Sequence, residues 1–204
     1  DGRAAMCVGF WPMVELEADD AFAATAAVSS ADDRVEKGCI WTPDKDLSQC
    51  VVDKRVGQID RRKGEIRDAA GVEAKFGVLP SSIPDYLALV GDTADGYPGL
   101  AGFGAKSTAA VLHRFAHIEA IPADGAEWRV NVMSSKRLAR VLNDERELAL
   151  LFRTLATLRP DAPLFKSVDE LRWHGPPAPF AKFAHAPGSP ELVSRADRAL
   201  ARIS

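Results

Sequence analysis

The feature that most constrains this chain is a glycine-rich segment that runs directly into a helix-forming sequence. Four glycines fall within nine residues between positions 96 and 104, and a lysine and two hydroxyl residues follow. Glycine adopts positive φ angles and permits close approach of a phosphate, while the following helix offers unpaired N–H groups at its N-terminus. We therefore predict a backbone-phosphate contact at Gly99, Gly102, Gly104, Lys106 and Ser107. The alternative is a plain glycine-rich turn between two helices.

Two common nucleotide-binding motifs do not fit this segment. A phosphate-binding P-loop would need the spacing between Gly104 and Lys106 to be one residue shorter. A dinucleotide fingerprint would need a strong strand before Gly99, and none is indicated. A contact from a helix-turn-helix type of hairpin fits the residues better.

Acidic residues form a first cluster at the start of a predicted helix. Glu17 and Asp20 are three residues apart and share a helix face, and Asp19 lies beside them. A cation above the first turn could contact two or three of their oxygens. The alternative is that the acidic residues only complement the positive end of the helix dipole.

Two further acidic pairs follow apolar elements. Asp44 and Asp46 come directly after the apolar run 38–42, where the carboxyl ends of parallel strands form a ligand crevice. Asp92 and Asp95 are three residues apart, directly before the glycine-rich segment. Each pair alone is equally compatible with a solvated turn. Together with the first cluster they predict a divalent cation site, because close carboxylates repel by about 1 to 4 kcal/mol per pair.

Composition excludes several classes of protein. With 204 residues, 47% hydrophobic and 27% charged residues and a net charge of −3, the chain is too apolar for intrinsic disorder. It contains no apolar run of the length that spans a membrane and no signal pattern, and its three cysteines include no C-x-x-C motif. We therefore expect a reduced, cytoplasmic protein without a disulfide framework or a zinc site.

The pattern of elements changes near residue 79. Residues 1–79 carry 11 basic and 15 acidic residues and predict an α/β region with a parallel sheet, whereas residues 80–204 carry 15 and 14 and predict helices followed by a Pro-rich tail. The predicted strands lie at 8–11, 38–42, 51–59 and around 66. The predicted helices lie at 17–30, 84–90, 105–115, 135–142, 145–157 and 191–203, with a further turn of helix near 46.

These residues, in this order, resemble the 5′ nuclease family, which includes the 5′-3′ exonuclease domain of bacterial DNA polymerase I and free-standing 5′-3′ exonucleases and flap endonucleases. The resemblance runs from about residue 11 to residue 115. It rests on E-A-D-D at 17–20, T-P-D-K-D at 42–46 and the run from P-D-Y-L-A-L-V-G-D to G-F-G-A-K-S at 84–107. It implies part of a PIN-like or resolvase-like twisted parallel sheet, followed by a helical domain with a helix-three-turn-helix motif.

The resemblance also implies a chemistry. Glu17, Asp19 and Asp20 match the ligands of a first metal ion, and Asp44, Asp46, Asp92 and Asp95 match those of a second. It implies hydrolysis of DNA phosphodiester bonds with two Mg²⁺ or Mn²⁺ ions, and a K⁺ ion at the helix-three-turn-helix motif. The expected partner is duplex DNA with a 5′ end or flap. The expected protein is a monomer, associated with the bacterial nucleoid and not with a membrane.

One departure from the family lowers the expected activity. The family begins with a strand that carries a metal-binding aspartate, followed by a helical arch that clamps the 5′ end, and nothing here corresponds to either. We therefore expect a chain that lacks its N-terminal portion, binds DNA weakly and cleaves it slowly or not at all. A non-catalytic DNA-structure-binding protein is the alternative. An RNA-directed nuclease of the related PIN class is disfavoured, because that class lacks the glycine-rich hairpin.

Overall fold

The structure is a computed structural model that describes residues 11, 13–176, 180 and 191–202 of the chain. The chain divides into two compact units. The larger unit is Leu16–Ala162, and the smaller combines Asp1–Glu15 with Pro163–Ser204. All the site residues predicted from the sequence lie in the larger unit.

The first part of the larger unit is mixed α/β, as predicted. It contains helix α1 (Ala18–Ala31), strand β1 (Gly38–Ile40), a 3-10 helix (Asp46–Cys50), strands β2 (Val56–Asp60) and β3 (Glu65–Arg67), and helix α2 (Ala69–Phe76). The three strands form one sheet in the order β1-β2-β3. An Ala-rich sequence favours α1, and α1 packs against β1 and the 3-10 helix.

The sheet is only partly parallel. Strand β1 pairs in parallel with β2, with Cys39 opposite Gly57, as the sequence predicts. Strand β3, by contrast, is antiparallel to β2, with Ile59 opposite Ile66. The cause is the short connection at 61–64, which ends at Gly64 with φ of 67°. Such a connection allows a hairpin but not the crossover that a parallel pair needs.

The predicted strand at 51–59 is shorter than expected. Its first residues form a tight turn in which the Arg55 N–H donates to the Val52 carbonyl at 2.8 Å, and Asp53 has a positive φ of 36°. The ladder with β1 therefore begins only at Val56.

The second part of the larger unit is helical. It contains α3 (Ile83–Val90), α4 (Ala105–Phe115), α5 (Ser135–Asp144) and α6 (Arg146–Ala156), with 3-10 turns at Pro80–Ser82 and Ile118–Ala120. These helices begin and end within two residues of their predicted bounds. Helix α2 was not predicted, although Asp68 caps its first turn by accepting from the Gly71 N–H at 2.9 Å.

One hydrophobic core joins the two halves of the larger unit. Helix α3 is buried from Ile83 to Leu89 and packs against α4 and α6. The same core includes Val51 and Val72 from the sheet-containing half. The boundary predicted near residue 79 therefore lies inside one compact unit, and the division into 1–79 and 80–204 stays a prediction.

The smaller unit contains a 3-10 helix (Val168–Leu171) and helix α7 (Glu191–Leu200). Within it, the rings of Trp11 and Phe165 stack with their centroids 5.5 Å apart, and Phe180 is buried. The strand predicted at 8–11 lies outside the described residues, apart from Trp11.

Candidate metal centre

Five aspartates from three separate segments of the larger unit come together. Asp19 lies in the first turn of α1, Asp44 and Asp46 follow β1, and Asp92 and Asp95 lie in the turn after α3. Carboxylate oxygens of Asp19, Asp44 and Asp46 lie within 4.8 Å of one another, and so do those of Asp46, Asp92 and Asp95. Asp46 belongs to both groups, so the two groups are adjacent parts of one cluster.

Local hydrogen bonds shape the loop after β1. The Asp44 N–H donates to Thr42 Oγ1 at 3.2 Å, and the Asp46 N–H donates to Asp44 Oδ1 at 3.3 Å. These contacts turn the backbone, so that two side chains one residue apart in an Asp-x-Asp sequence both contribute to the cluster. From the other side, Gln49 Nε2 donates to the Asp46 carbonyl at 2.9 Å and to the Ala156 carbonyl at 3.0 Å.

A closed turn carries the second pair of aspartates. The backbones of Asp92 and Tyr97 exchange two hydrogen bonds, of 2.8 and 3.0 Å, and Asp92 Oδ1 accepts from the Ala94 N–H at 3.1 Å. Glycines at both sides permit this turn. The φ angles of Gly91 and Gly99 are 92° and 72°, and a Cβ at Gly99 would lie 2.4 Å from the Gly91 nitrogen. The turn therefore requires glycine at both positions.

Burial and mutual repulsion raise the pKa of two of the carboxyl groups and so favour their protonated forms. Burial, a hydrogen bond with Asp95 and the charge of Asp44 raise the pKa of Asp46 to about 8. Burial, followed by the charges of Asp44 and Glu17, raises the pKa of Asp19 to about 6. The positive charge that acts on Asp46 therefore offsets only part of the effect of burial and repulsion.

A lysine that the sequence analysis did not single out supplies part of the missing charge. The Lys45 ammonium pairs with Asp92 Oδ2. Burial opposes the charge on both groups, but the ion pair lowers the pKa of Asp92 and raises the pKa of Lys45. Its signal in the sequence was its position between Asp44 and Asp46, where a cation is flanked by acids on both sides.

The donor set fits a hard divalent cation. Asp46 is 8% exposed, and its Oδ1 atom is buried without a hydrogen-bond donor among the residues that the structure describes. Within that part of the chain, both groups consist of carboxylates, with no histidine or cysteine. Mg²⁺ and Mn²⁺ prefer such oxygen ligands, whereas zinc sites favour nitrogen and sulfur.

Two of the predicted ligands lie at the edge of the cluster. The carboxylate of Asp20 accepts from the Arg159 N–H at 2.8 Å and from the Glu17 N–H at 3.0 Å, so both of its oxygens already have donors. The charge of Glu17 acts on Asp19, but neither Glu17 nor Asp20 belongs to the two groups of converging oxygens. Asp20 joins the start of α1 to the segment after α6.

The glycine-rich segment forms one wall of an open groove of about 640 Å³, with Lys106 and Arg137 among the exposed side chains that line it. Gly104 precedes α4 and has no side chain to cap the helix, so the first N–H groups of α4 have no side-chain acceptor from that position. The Ser107 hydroxyl accepts from the Gly104 N–H at 3.0 Å. Gly102, Gly104 and Lys106 thus line the groove at the start of α4, whereas Gly99 lies against Gly91 and the end of α3.

Comparison with known sequences identifies the protein family that this chain matches. The family described as 5′-3′ exonuclease, C-terminal SAM fold, matches residues 78–178. The 5′-3′ exonuclease of Aquifex aeolicus is 42% identical over 116 residues, which are 54% of this chain and 38% of that protein. The chain therefore contains the C-terminal domain of the 5′-3′ exonuclease family.

Longer relatives match this family member across both of its halves. The flap endonuclease Xni of a Shewanella species is 35% identical over 167 residues, which are 80% of this chain and 59% of the relative. DNA polymerase I of Pseudomonas aeruginosa is 34% identical over 164 residues, which are 76% of this chain but only 17% of the relative. The chain therefore spans less than two thirds of the length of each of these three relatives.

Solved structures match the fold. A zinc-bound T5 5′-exonuclease superposes with a TM-score of 0.59 and 20% identity, covering 73% of this chain and 52% of that one. A T5 D15 flap endonuclease variant in complex with DNA and metal ions gives a TM-score of 0.58 and 19% identity, covering 78% and 54%. The mixed α/β region and the helical region thus share the fold of these nucleases. Among the described residues, no helix has the length and apolar character needed to cross a membrane.

Proposed function

We propose that this chain hydrolyses DNA phosphodiester bonds as a divalent-metal-dependent 5′-3′ exonuclease or flap endonuclease. The observation that carries the proposal is the pair of adjacent carboxylate groups that share the buried Asp46. The sequence divides the proposed ligands into Glu17, Asp19 and Asp20 for one ion and Asp44, Asp46, Asp92 and Asp95 for the other. The geometry supports a division in which Asp19, Asp44 and Asp46 hold one ion, Asp46, Asp92 and Asp95 hold the other, and Asp46 contributes to both. A bound pair of divalent ions supplies Lewis acidity, which lowers the pKa of a water and offsets charge on the phosphate.

The protein's own groups have distinct parts in this proposal. The carboxylates of Asp19 and Asp46 must release their protons before they bind a cation, so their raised pKa values make cation affinity depend on pH. Lys45 offsets part of the charge at Asp92 and holds the second acidic turn against the first loop. Asp46 and Asp92 are buried, so the packed chain keeps water away from their side of the cluster.

The proposed partner is duplex DNA with a 5′ end or flap. Its support is the open groove at α4, where Lys106 offers a positive charge and the uncapped helix start offers N–H groups to a phosphate. The finer assignments are also proposals. We assign Mg²⁺ or Mn²⁺ to the carboxylates because the ligands are oxygens, and K⁺ to the main chain around Gly99–Ser107 on the family resemblance.

Calorimetric titration of Mn²⁺ into the 204-residue chain tests the metal proposal. We expect two equivalents to bind, and we expect Asp46→Asn to weaken both by at least about 10-fold, because Asp46 belongs to both groups. The matched control is Asp33→Asn, which changes an exposed aspartate outside the cluster. No binding to the wild type, or equal binding to the wild type and Asp46→Asn, would refute the metal centre.

Cleavage of a 5′-flap DNA by excess protein tests the activity. We expect a product that forms with Mn²⁺, is absent with EDTA and is absent for Asp46→Asn. Binding of the flap DNA without any metal-dependent product would instead support a DNA-structure-binding protein without catalysis. A product that Asp46→Asn forms as fast as the wild type would show that cleavage occurs elsewhere or comes from a contaminant.

A further inference from the structure

A buried amide from the neighbouring strand supports the loop that carries Asp44 and Asp46. Gln58 lies in β2 and is fully buried. Its Nε2 donates to the Asp44 carbonyl. Its Oε1 accepts from Ser48 Oγ at 2.9 Å and from Arg67 Nη1 at 3.2 Å. Both ends of the amide are therefore used.

The contacts of Gln58 lie on both sides of Asp46. The Asp44 carbonyl comes two residues before Asp46, and Ser48 comes two residues after it in the 3-10 helix. One side chain thus holds the chain before and after the aspartate that both carboxylate groups share. The orientation and position of the Asp46 carboxylate depend on these two hydrogen bonds.

The rest of this network is charged, and two of its members, Arg67 and Asp60, are buried, whereas Glu65 is exposed. The Arg67 side chain is 6% exposed and lies 3.1 Å from Glu65 Oε2 and 3.8 Å from Asp60 Oδ2. A buried ion pair is often less stabilising than apolar side chains of the same volume. A fully satisfied polar network, however, permits one geometry where apolar packing permits several. The network therefore fits a requirement for a fixed loop better than a requirement for stability alone.

We propose that Gln58 is a positioning residue that fixes the Asp44–Asp46 loop, residues 44–46, in the geometry that binds the divalent cation. The inference rests on the proposed function. Gln58 does not touch the cation or the substrate. It acts through the Asp44 carbonyl and the Ser48 hydroxyl, which set the positions of the two carboxylates.

The substitution Gln58→Glu distinguishes an effect on the position of the loop from an effect of added negative charge. The glutamate has the size of glutamine and accepts from Ser48 and Arg67, but it cannot donate to the Asp44 carbonyl, which it repels. Its negative charge by itself would strengthen cation binding, because it adds to the acidic cluster. Positioning predicts the opposite result, an affinity for Mn²⁺ about 10-fold to 100-fold weaker, as for other residues that orient metal ligands.

The experiment measures the dissociation constant of Mn²⁺ by calorimetry and the melting temperature in EDTA. It compares the wild-type chain with Gln58→Glu and with Ser48→Ala, a milder variant that leaves Arg67 to hold the amide. The control is Val111→Ala, a buried site in α4, which opens a cavity and lowers stability in an element that contains neither the loop nor Gln58. We expect weaker Mn²⁺ binding for Gln58→Glu and Ser48→Ala, which we call the loop variants because they alter the support of the loop. We expect unchanged binding for Val111→Ala, even where its melting temperature is as low as that of the loop variants.

The outcomes separate this inference from the proposed function. If the wild type binds Mn²⁺ and both loop variants bind it as tightly, Gln58 has no positioning role and the metal centre stands. If Val111→Ala loses as much affinity as the loop variants, the effect is one of general stability and the inference is wrong. If the wild type binds no Mn²⁺, the proposed function and this inference both fail.

Discussion

Replacing Asp46 by asparagine should make the metal-free protein more stable while removing its response to divalent cations. The folded protein retains the Asp46 proton up to a pH of about 8, whereas an unperturbed aspartate loses its proton near pH 3.8. The folded state therefore binds more protons between these two values, and the free energy of unfolding falls as the pH rises through this window. Asparagine carries no charge at any of these pH values and removes this destabilisation.

The magnitude follows from the size of the pKa change. The free energy of unfolding falls by about 1.4 kcal/mol for each pH unit between the unperturbed and the folded pKa of Asp46. The whole interval therefore corresponds to about 6 kcal/mol at most. Asp44 and Asp95 are exposed, and water on that side screens the repulsion. We therefore expect a gain of about 3 kcal/mol near pH 9, or about 6 to 12 °C in melting temperature for a chain of this size. Near pH 5 the gain in the free energy of unfolding should fall below about 1 kcal/mol, because pH 5 lies only slightly above the unperturbed pKa of aspartate.

Urea unfolding in EDTA at these two pH values measures the gain. A parallel titration with Mn²⁺ should raise the melting temperature of the wild type and leave that of Asp46→Asn unchanged. Asp33→Asn, at an exposed site, controls for the loss of one negative charge. The reasoning is refuted if Asp46→Asn is no more stable than the wild type near pH 9, or if the gain is the same at both pH values.

Two other substitutions test the packing that holds the cluster in place. Gly99→Ala should destabilise the protein by more than about 3 kcal/mol, because the new Cβ would lie 2.4 Å from the Gly91 nitrogen. The control Gly96→Ala has a similar φ and no atom within 4 Å of the new Cβ, so it should cost only about 1 to 2 kcal/mol. Equal losses in urea unfolding would contradict this explanation. Asp85→Ala should lower the free energy of unfolding by about 3 kcal/mol, because the buried Asp85 carboxylate accepts from the Ile118 N–H at 3.0 Å and lies 3.5 Å from Arg153. A loss below about 1 kcal/mol in urea unfolding would contradict the importance of these two contacts.

The sequence was most informative where chemistry depends on a local pattern. The acidic pairs at 44 and 46 and at 92 and 95 were predicted from their spacing and from the apolar elements before them, and the structure brings them together with Asp19. Their assignment as metal ligands stays a prediction. The helices of the second half were also found, because helix formation depends on residues three and four apart and on local breaks at glycine and proline.

The sequence was less informative where an element is short or depends on its neighbours. Helix α2 has a capping aspartate before it and Gly77, with φ of 73°, after it, so both ends carried a signal that apolar periodicity alone did not reveal. Strand β3 has three residues, too few to show an alternating pattern, and its antiparallel direction follows from the short hairpin before it. The ion pair of Lys45 with Asp92 joins residues 47 positions apart, which no local pattern encodes.

By itself, the sequence determined which residue types are present in each segment: acids after apolar elements, glycines where the backbone must turn, and a lysine at the start of a helix. These follow from short-range steric and electrostatic rules that act within a few residues. Only the tertiary structure decided that Asp46 is the residue that both groups share, that Asp20 is already hydrogen-bonded to Arg159, and that Gln58 lies beneath the loop. Burial and distance between remote segments set those properties, because a carboxylate changes its pKa and its partners only when the whole chain has packed around it.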